Sequence, residues 1–433
     1  MDLFGNLGKP NTDEFAVGFD LTDAYSQVSF CRMDDDKADT MSVVPGGASY
    51  LIPTALFKRR EVNQWFAGVD ALKNRDTDGY YVDRLLEKAL AGEEIQVGEE
   101  SFRPSALIAL FMKRTLSLLS MNVPLNRIAS LMITVSSLDD KMVEVLTEVV
   151  GSLGLKTSNV FFQTHMESFY YYTIYQPTEL WNRNVLLLDF SEEHLKSLRM
   201  ECNNNTTPIV AFIDPGSYLS FKTGDIQNLI INSDEARYAD HELMRLLDEI
   251  CEGRMFSSIY FIGDNFRQEI FGETVRAMCK RGRVFEGNNL FSKGAAFSAK
   301  DKLHKTLLSE SHVFLGNDKL KANVGLNILN RGEPGYLALL DAGVNWFEAT
   351  GSCEVILDKG NKISFVITPL TGKNPEIVDI TLSDLPKRPP RTSRLKVDVS
   401  MLSEMRMQVT VKDLGFGELF KASNIEWKEV INL

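Results

Sequence analysis

FAVGFDLTDAYSQVSF, residues 15–30, alternates apolar and polar side chains on either side of a turn-like Thr22-Asp23 pair. Period-two alternation broken by a polar pair predicts a β-hairpin. A second alternating run resumes near Met41. The intervening Asp34, Asp35 and Asp36 lack the glycine and distal glutamate of an EF-hand loop and read as a solvated hairpin tip. Downstream, apolar residues at three-to-four spacing predict a helix over Pro104 to Leu119 with Lys113 and Arg114 facing out. A strand follows over Leu131 to Val135, SSLDD caps a helix running to Leu153, and SNVFFQ (158–163) is the next strand. VLLLDF (185–190) opens a second series, which ends with SIYFIGDNF (258–266) and a helix after it. Two strand–helix series of similar plan predict two lobes. Beyond Lys305 the spacing shortens to CEVILD, KISFVITPL, RLKVDVS and MRMQVTV, separated by Gly, Pro and Asn turns. Such short alternating strands predict a β-sandwich or barrel.

The chain of 433 residues is too long for one hydrophobic core. Its net charge of -12, with acids interrupting nearly every basic stretch, excludes a basic face for nucleic acid. The start, MDLFGNLGKPNTDEF, lacks the basic and apolar runs of an export leader. The longest apolar stretches, 105–112 and 128–135, fall far short of the roughly twenty residues that cross a bilayer, so no membrane insertion is expected. Five scattered cysteines, Cys31, Cys202, Cys251, Cys279 and Cys353, show no zinc-ligand spacing and read as reduced thiols of a cytoplasmic protein. The five histidines are likewise dispersed and suggest no metal centre.

The order of several short motifs carries more. FAVGFDLTDAYSQVSF resembles the first phosphate hairpin of the DnaK-type heat-shock chaperones, with Gly18, Asp20, Leu21, Tyr25 and Ser26 on the motif. SYLIPTALF (49–57), WFAGVDAL (65–72) and LMITVSSLDDKMVEVLTEVVGSLGLKTSNVFF (131–162) resemble the chaperone segments that follow it. VLLLDFSEE stands where the second phosphate hairpin belongs. YFIGDNFRQEIF (260–271) and NNLFSKGAAFSA (288–299) are similar to the adenosine segment. LPKRPPRTSRLKVDVSMLSEMRMQVTVKDLGFG (385–417) is similar to the stretch closing the chaperone substrate-binding sandwich, with Leu385, Pro386, Pro390, Arg391, Leu395, Val397, Val409, Asp413 and Gly417 in register. The resemblance implies α/β plus β: an actin-like two-lobed domain (lobes 12–186 and 187–308, the second shortened) followed by a β-sandwich over 318–425. The family's helical lid is expected to be absent, so bound peptide would exchange quickly.

The departures from the family pattern decide the expected chemistry. Phosphate-binding hairpins rely on glycine-rich backbone and on aspartates that organise Mg²⁺. Thr22, Asp23 and Ala24 replace the family's glycine and two threonines. A carboxylate at Asp23 aimed at a triphosphate would be repelled by roughly 4 kcal/mol at 4 Å in an intermediate dielectric. At the second hairpin Phe190, Ser191 and Glu192 replace three glycines, with Glu193 behind, and are expected to fill the phosphate cradle. Asp83 aligns with the catalytic lysine, a charge reversal. Gly263 and Arg267 survive in the adenosine segment, whereas the second glycine there is Asp264.

Asp20 and Asp189 persist where Mg²⁺ organisers would stand, and Glu167, ahead of a helix expected near Ser168, is the candidate catalytic glutamate. A strand-terminal aspartate also persists where it merely caps backbone N–H groups. The degenerate cleft therefore comprises Gly18, Asp20, Thr22, Asp23, Asp189, Gly263, Asp264 and Arg267. It implies no resident cofactor beyond weak ATP–Mg²⁺ binding and no efficient hydrolysis. The function implied is a chaperone-like pseudo-ATPase that binds a peptide or protein partner. Two alternatives are an active nucleotide-dependent chaperone-like ATPase, with Asp20, Asp189 and Glu167 holding Mg²⁺ and water, and an actin-like filament or division-adaptor protein. Tyr170-Tyr171-Tyr172 reads as a helix packing two faces, the basic stretch Lys387, Arg388, Arg391 and Arg394 as an inter-strand crossing, and IEWKEVINL as a closing strand or helix stub.

Overall fold

The computed structural model describes residues 13–44, 46–204, 208–214, 218–287, 289–316, 318–370 and 374–433. The amino-terminal stretch read for export signals lies mostly outside them. The fold is mixed α and β and divides into two compact units, Met1–Phe314 and Leu315–Leu433.

The expected hairpin forms from β1 (Phe15–Leu21) and β2 (Tyr25–Arg32), followed by β3 (Ala38–Thr40), which is only three residues long and ends before Met41. Next come α1 (Leu85–Ala91), α2 (Pro104–Leu119), β4 (Ile128–Val135), α3 (Asp140–Leu153), β5 (Val160–Thr164) and α4 (His165–Ile174). The sheet order is β5-β4-β1-β2-β3, with Ile52–Pro53 pairing beside β2. β5, β4 and β1 run parallel and β2 and β3 antiparallel. Strand β1 is buried on both faces, and its alternation turns out to be one of size. Phe19 meets Phe111 of α2 edge-on at 6.4 Å, while Ala16 packs with Ala295 and Ala296 on the other side.

The second half repeats the plan. β6 (Asn184–Asp189), β7 (His194–Asn203) and β8 (Ile209–Asp214) lead to α5 (Asp234–Ile250), β9 (Phe256–Ile262), α6 (Gly272–Met278), β10 (Arg283–Glu286), α7 (Leu290–Leu303) and β11 (His312–Phe314). The order is β10-β9-β6-β7-β8-β11, with Tyr218–Lys222 beside β7. Three antiparallel strands and then two parallel strands reached through helices occur in both halves. The boundary expected at 186/187 falls inside β6, and β11 extends this sheet past the expected limit at 308. Helix α7, expected with the second lobe, instead packs on β1, β2 and β4 of the first sheet and against α4. Its small residues explain this, because Ala295, Ala296 and Ala299 are fully buried and let backbones approach closely.

Two four-stranded antiparallel sheets build the second unit. Its strands are β12 (Ala322–Asn330), β13 (Glu333–Leu340), β14 (Thr350–Ile356), β15 (Lys362–Pro369), β16 (Glu376–Thr381), β17 (Arg394–Ser403), β18 (Arg406–Gly415) and β19 (Glu426–Asn432). The orders are β13-β12-β15-β16 and β14-β17-β18-β19. Alternation here is of the one-sided kind, with Leu395, Val397 and Val399 of β17 and Met407, Val409 and Val411 of β18 buried. The basic stretch 387–394 crosses between the sheets, and IEWKEVINL forms the edge strand β19. Among the described residues no helix is long and apolar enough to cross a membrane.

Candidate functional site

Asp20 lies near the carboxyl end of β1, opposite Thr134 of β4 and Gln27 of β2, and Thr134 in turn lies opposite Gln163 of β5. Cross-strand partners share a face, so these four buried polar residues form one row across the sheet. That face meets α4. The Ser168 hydroxyl of α4 is 2.7 Å from both Thr134 Oγ1 and Gln163 Nε2. His165, the first residue of α4, places Nε2 at 2.7 Å from Asp20 Oδ1. An ionised carboxylate only accepts, so the imidazole N–H donates. The ring lies flat on Phe291 of α7, with centroids 4.2 Å apart and planes within 5°.

The second sheet brings the other strand-end aspartate. Asp189 closes β6 opposite Lys196 of β7 and Ile262 of β9, and the Ser191 N–H donates to its Oδ1 at 2.9 Å. Burial pushes the Asp189 carboxyl above its ordinary 3.8, Glu192 adds to the rise, and the Ser191 hydroxyl and N–H and the attraction of His165 oppose it. Asp20 and Asp189 are each 8% exposed.

The remaining expected site residues are placed differently. Gly18 lies under α7, where a Cβ would stand 2.2 Å from the Ser292 carbonyl oxygen, so it serves helix packing. Thr22 closes its own turn, donating to the Tyr25 carbonyl at 2.6 Å. Asp23 was expected to face a triphosphate. Its two carboxylate oxygens instead accept the N–H groups of Leu86 and Glu87 at 2.8 and 3.0 Å, tying the hairpin to α1. Phe190 was expected to fill the cradle, yet it is fully buried among Phe221, Phe261, Phe266 and Phe271, and only Ser191, Glu192 and Glu193 of that turn are exposed. Apolar burial explains the reversal, since an aromatic ring gains more in the core than over a polar cleft.

Helix α4 starts three residues before the expected Ser168, so Glu167 sits inside its first turn, 3% exposed, with its N–H on the Thr164 hydroxyl. Gly263, at φ +97°, lets β9 end against residues 190–191, where a Cβ would stand 2.4 Å from Ser191 N. Asp264 is exposed and its carbonyl accepts from the Gln227 amide. Arg267 donates to the Leu229 carbonyl at 3.0 Å, a loop-bracing role. Asp83 accepts Lys88 Nζ on its carbonyl at 2.8 Å. The acidic turn is exposed at Asp34, Asp35 and Asp36, and buried Lys300 reaches the Asp35 carbonyl and the Asp36 carboxylate from below.

His165 is the residue the sequence reading passed over. Thr164-His165-Met166-Glu167 carries the Thr-x-x-Glu spacing of a helix start, which would have put His165 on the first turn facing the strand ends. Among the described residues no group of three or more His, Cys, Asp and Glu side chains is arranged to hold a metal ion. Two surface recesses of about 370 and 400 Å³ lie elsewhere, one on β14, β17 and β18 and one between α1, α2 and α3. Asp20 is taken by His165, Asp23 by α1, and the turn after Asp189 presents Glu192 and Glu193.

Comparison with known families divides the chain where the two units meet. The model described as "Domain of unknown function (DUF8552)" matches residues 319–433. No curated protein matches the chain. The model described as "Family of unknown function (DUF5716) C-terminal" matches residues 37–317, about two thirds of the sequence and nearly all of the first unit, with His165 and Asp189 inside the match and Asp20 before it. The chain therefore belongs to the DUF5716 family of unknown function.

Proposed function

We propose that this protein is a divergent relative of the DnaK-type chaperones, with an actin-like two-lobed part that no longer hydrolyses ATP efficiently and a β-sandwich that binds a peptide or protein partner in the cytoplasm. One observation carries the loss of hydrolysis: the Asp20 carboxylate, a required Mg²⁺ organiser in that reading, is committed to His165 at 2.7 Å. The repeated strand order of the two sheets in the first unit supports the two-lobed ancestry, and the paired antiparallel sheets of the second support the sandwich. Five free cysteines, with the Cys31, Cys202, Cys251 and Cys353 thiols raised by burial, are in keeping with a reducing compartment.

Calorimetry of the full chain with Mg-ATP tests the reading. No heat of binding at micromolar concentrations is expected, and no phosphate release. Micromolar affinity together with turnover abolished by Asp189→Ala would overturn it in favour of an active ATPase.

A further inference from the structure

His165 and Asp20 meet at a buried point beside the core cluster that holds the neighbours of Asp189. Asp20 ends the central strand of the first sheet, Asp189 ends the central strand of the second, and His165 opens the helix that follows the first sheet. The imidazole is held in place rather than free to swing. Its ring is stacked on Phe291 at 4.2 Å, Nε2 is fixed on Asp20, and Thr164 caps the turn from which it projects. Phe291 belongs to the core of the second sheet, packing in one cluster with Leu187 and Ile262, the neighbours of Asp189 on β6 and β9. The ring therefore bonds to a strand of the first sheet at its edge and stacks on a residue of the second sheet's core at its face.

We propose that His165 is a clamp between the two sheets of the first unit, binding the β1 end through its hydrogen bond to Asp20 and the β6 end through Phe291 and the core it shares with Leu187, so that the cleft between them is filled by the chain itself. A cleft that holds its own polar occupant needs no external ligand to keep its halves together. The Asp20 carboxylate is desolvated, and the imidazole supplied by α4 offsets that cost only while the ring stays held between β1 and Phe291. The two strand ends should then open and close together. This inference uses the same Asp20–His165 contact as the function proposed above, and exchange measured without nucleotide tests it separately from the calorimetry.

Hydrogen–deuterium exchange on the full chain, for wild type, His165→Ala and His165→Gln, tests it. Gln can place an amide donor near the position of Nε2. Loss of the clamp in His165→Ala should raise exchange about tenfold at both Phe19–Leu21 and Leu188–Phe190, with residues 394–411 of the second unit unchanged as the internal reference. His165→Gln should stay within about threefold of wild type at both places. A rise at the β1 end alone would make His165 a packing residue of the first sheet. A rise spread evenly over the unit, α3 included, would make it a general core residue. No rise at either end, or a Gln variant as loose as Ala, would equally overturn the clamp.

Discussion

Asp189 in the first unit and Asp413 in the second are both buried carboxylates near strand ends, and their surroundings move them in opposite directions. Burial alone would raise Asp413. A bidentate ion pair with Arg388 at 2.7 and 2.8 Å and the N–H groups of Gly415 and Ser423 reverse that, holding its carboxyl well below the ordinary 3.8. Asp189 has one backbone donor and one hydroxyl, and burial wins. The lesson concerns completeness. A desolvated charge with a full set of donors is a structural staple, whereas one with a partial set costs stability and persists where a site, working or relict, holds it.

Breaking the staple should give the largest effect. Asp413→Ala leaves the Arg388 guanidinium, 5% exposed, without its partner, and a loss of about 3–5 kcal/mol is expected. Urea unfolding, with exchange over 394–433 reporting the second unit, measures it. A loss under 1 kcal/mol would show that the two carboxylates do not differ as described. Gly18→Ala should come next, costing about 1–3 kcal/mol, because the added Cβ meets backbone atoms of α7 at 2.2 and 2.3 Å and not a mobile side-chain tip. Its exchange signature should centre on β1 and α7, showing that the strand-end cluster depends on this backbone approach.

The smallest effect is the most diagnostic in sign. The folded-state pKa of Asp189 is raised, so its ionisation costs stability above that pKa and costs nothing below the unfolded value of 3.8, where both states are protonated. Asp189→Asn should therefore raise Tm at neutral pH, with the gain shrinking as pH falls toward 3.8. For Asp413 the sign is the reverse. Its folded pKa is lowered, so its contribution is present above 3.8 and is lost as pH drops further. Thermal scans of Asp189→Asn and Asp413→Asn across the acid range should diverge accordingly, and a stabilising Asp413→Asn at neutral pH would erase the contrast.

Local signals made much of the fold legible. The β1–β2 hairpin, the capped helix α3 with Asp139 on the Met142 N–H at 2.8 Å, and the one-sided alternation of β17 and β18 all follow from spacing within about ten residues. The candidate site was legible only in part. Asp20 and Asp189 could be picked out as strand-end acids, but Asp23 and Phe190 were read as facing the cleft because a turn residue's direction is not encoded by its neighbours. Asp23 found the N–H groups of α1, 63 residues later, and Phe190 found four other aromatic rings.

By itself, then, the chain of side chains determines where strands and helices run, because periodicity, caps and turn chemistry act over a few residues. Only the tertiary structure decides that His165 meets Asp20 across 145 residues and stacks on Phe291 of the second sheet's core. The physical reason is that a charge's partners are selected by the packing of whole sheets, through burial and donor geometry that no local pattern carries.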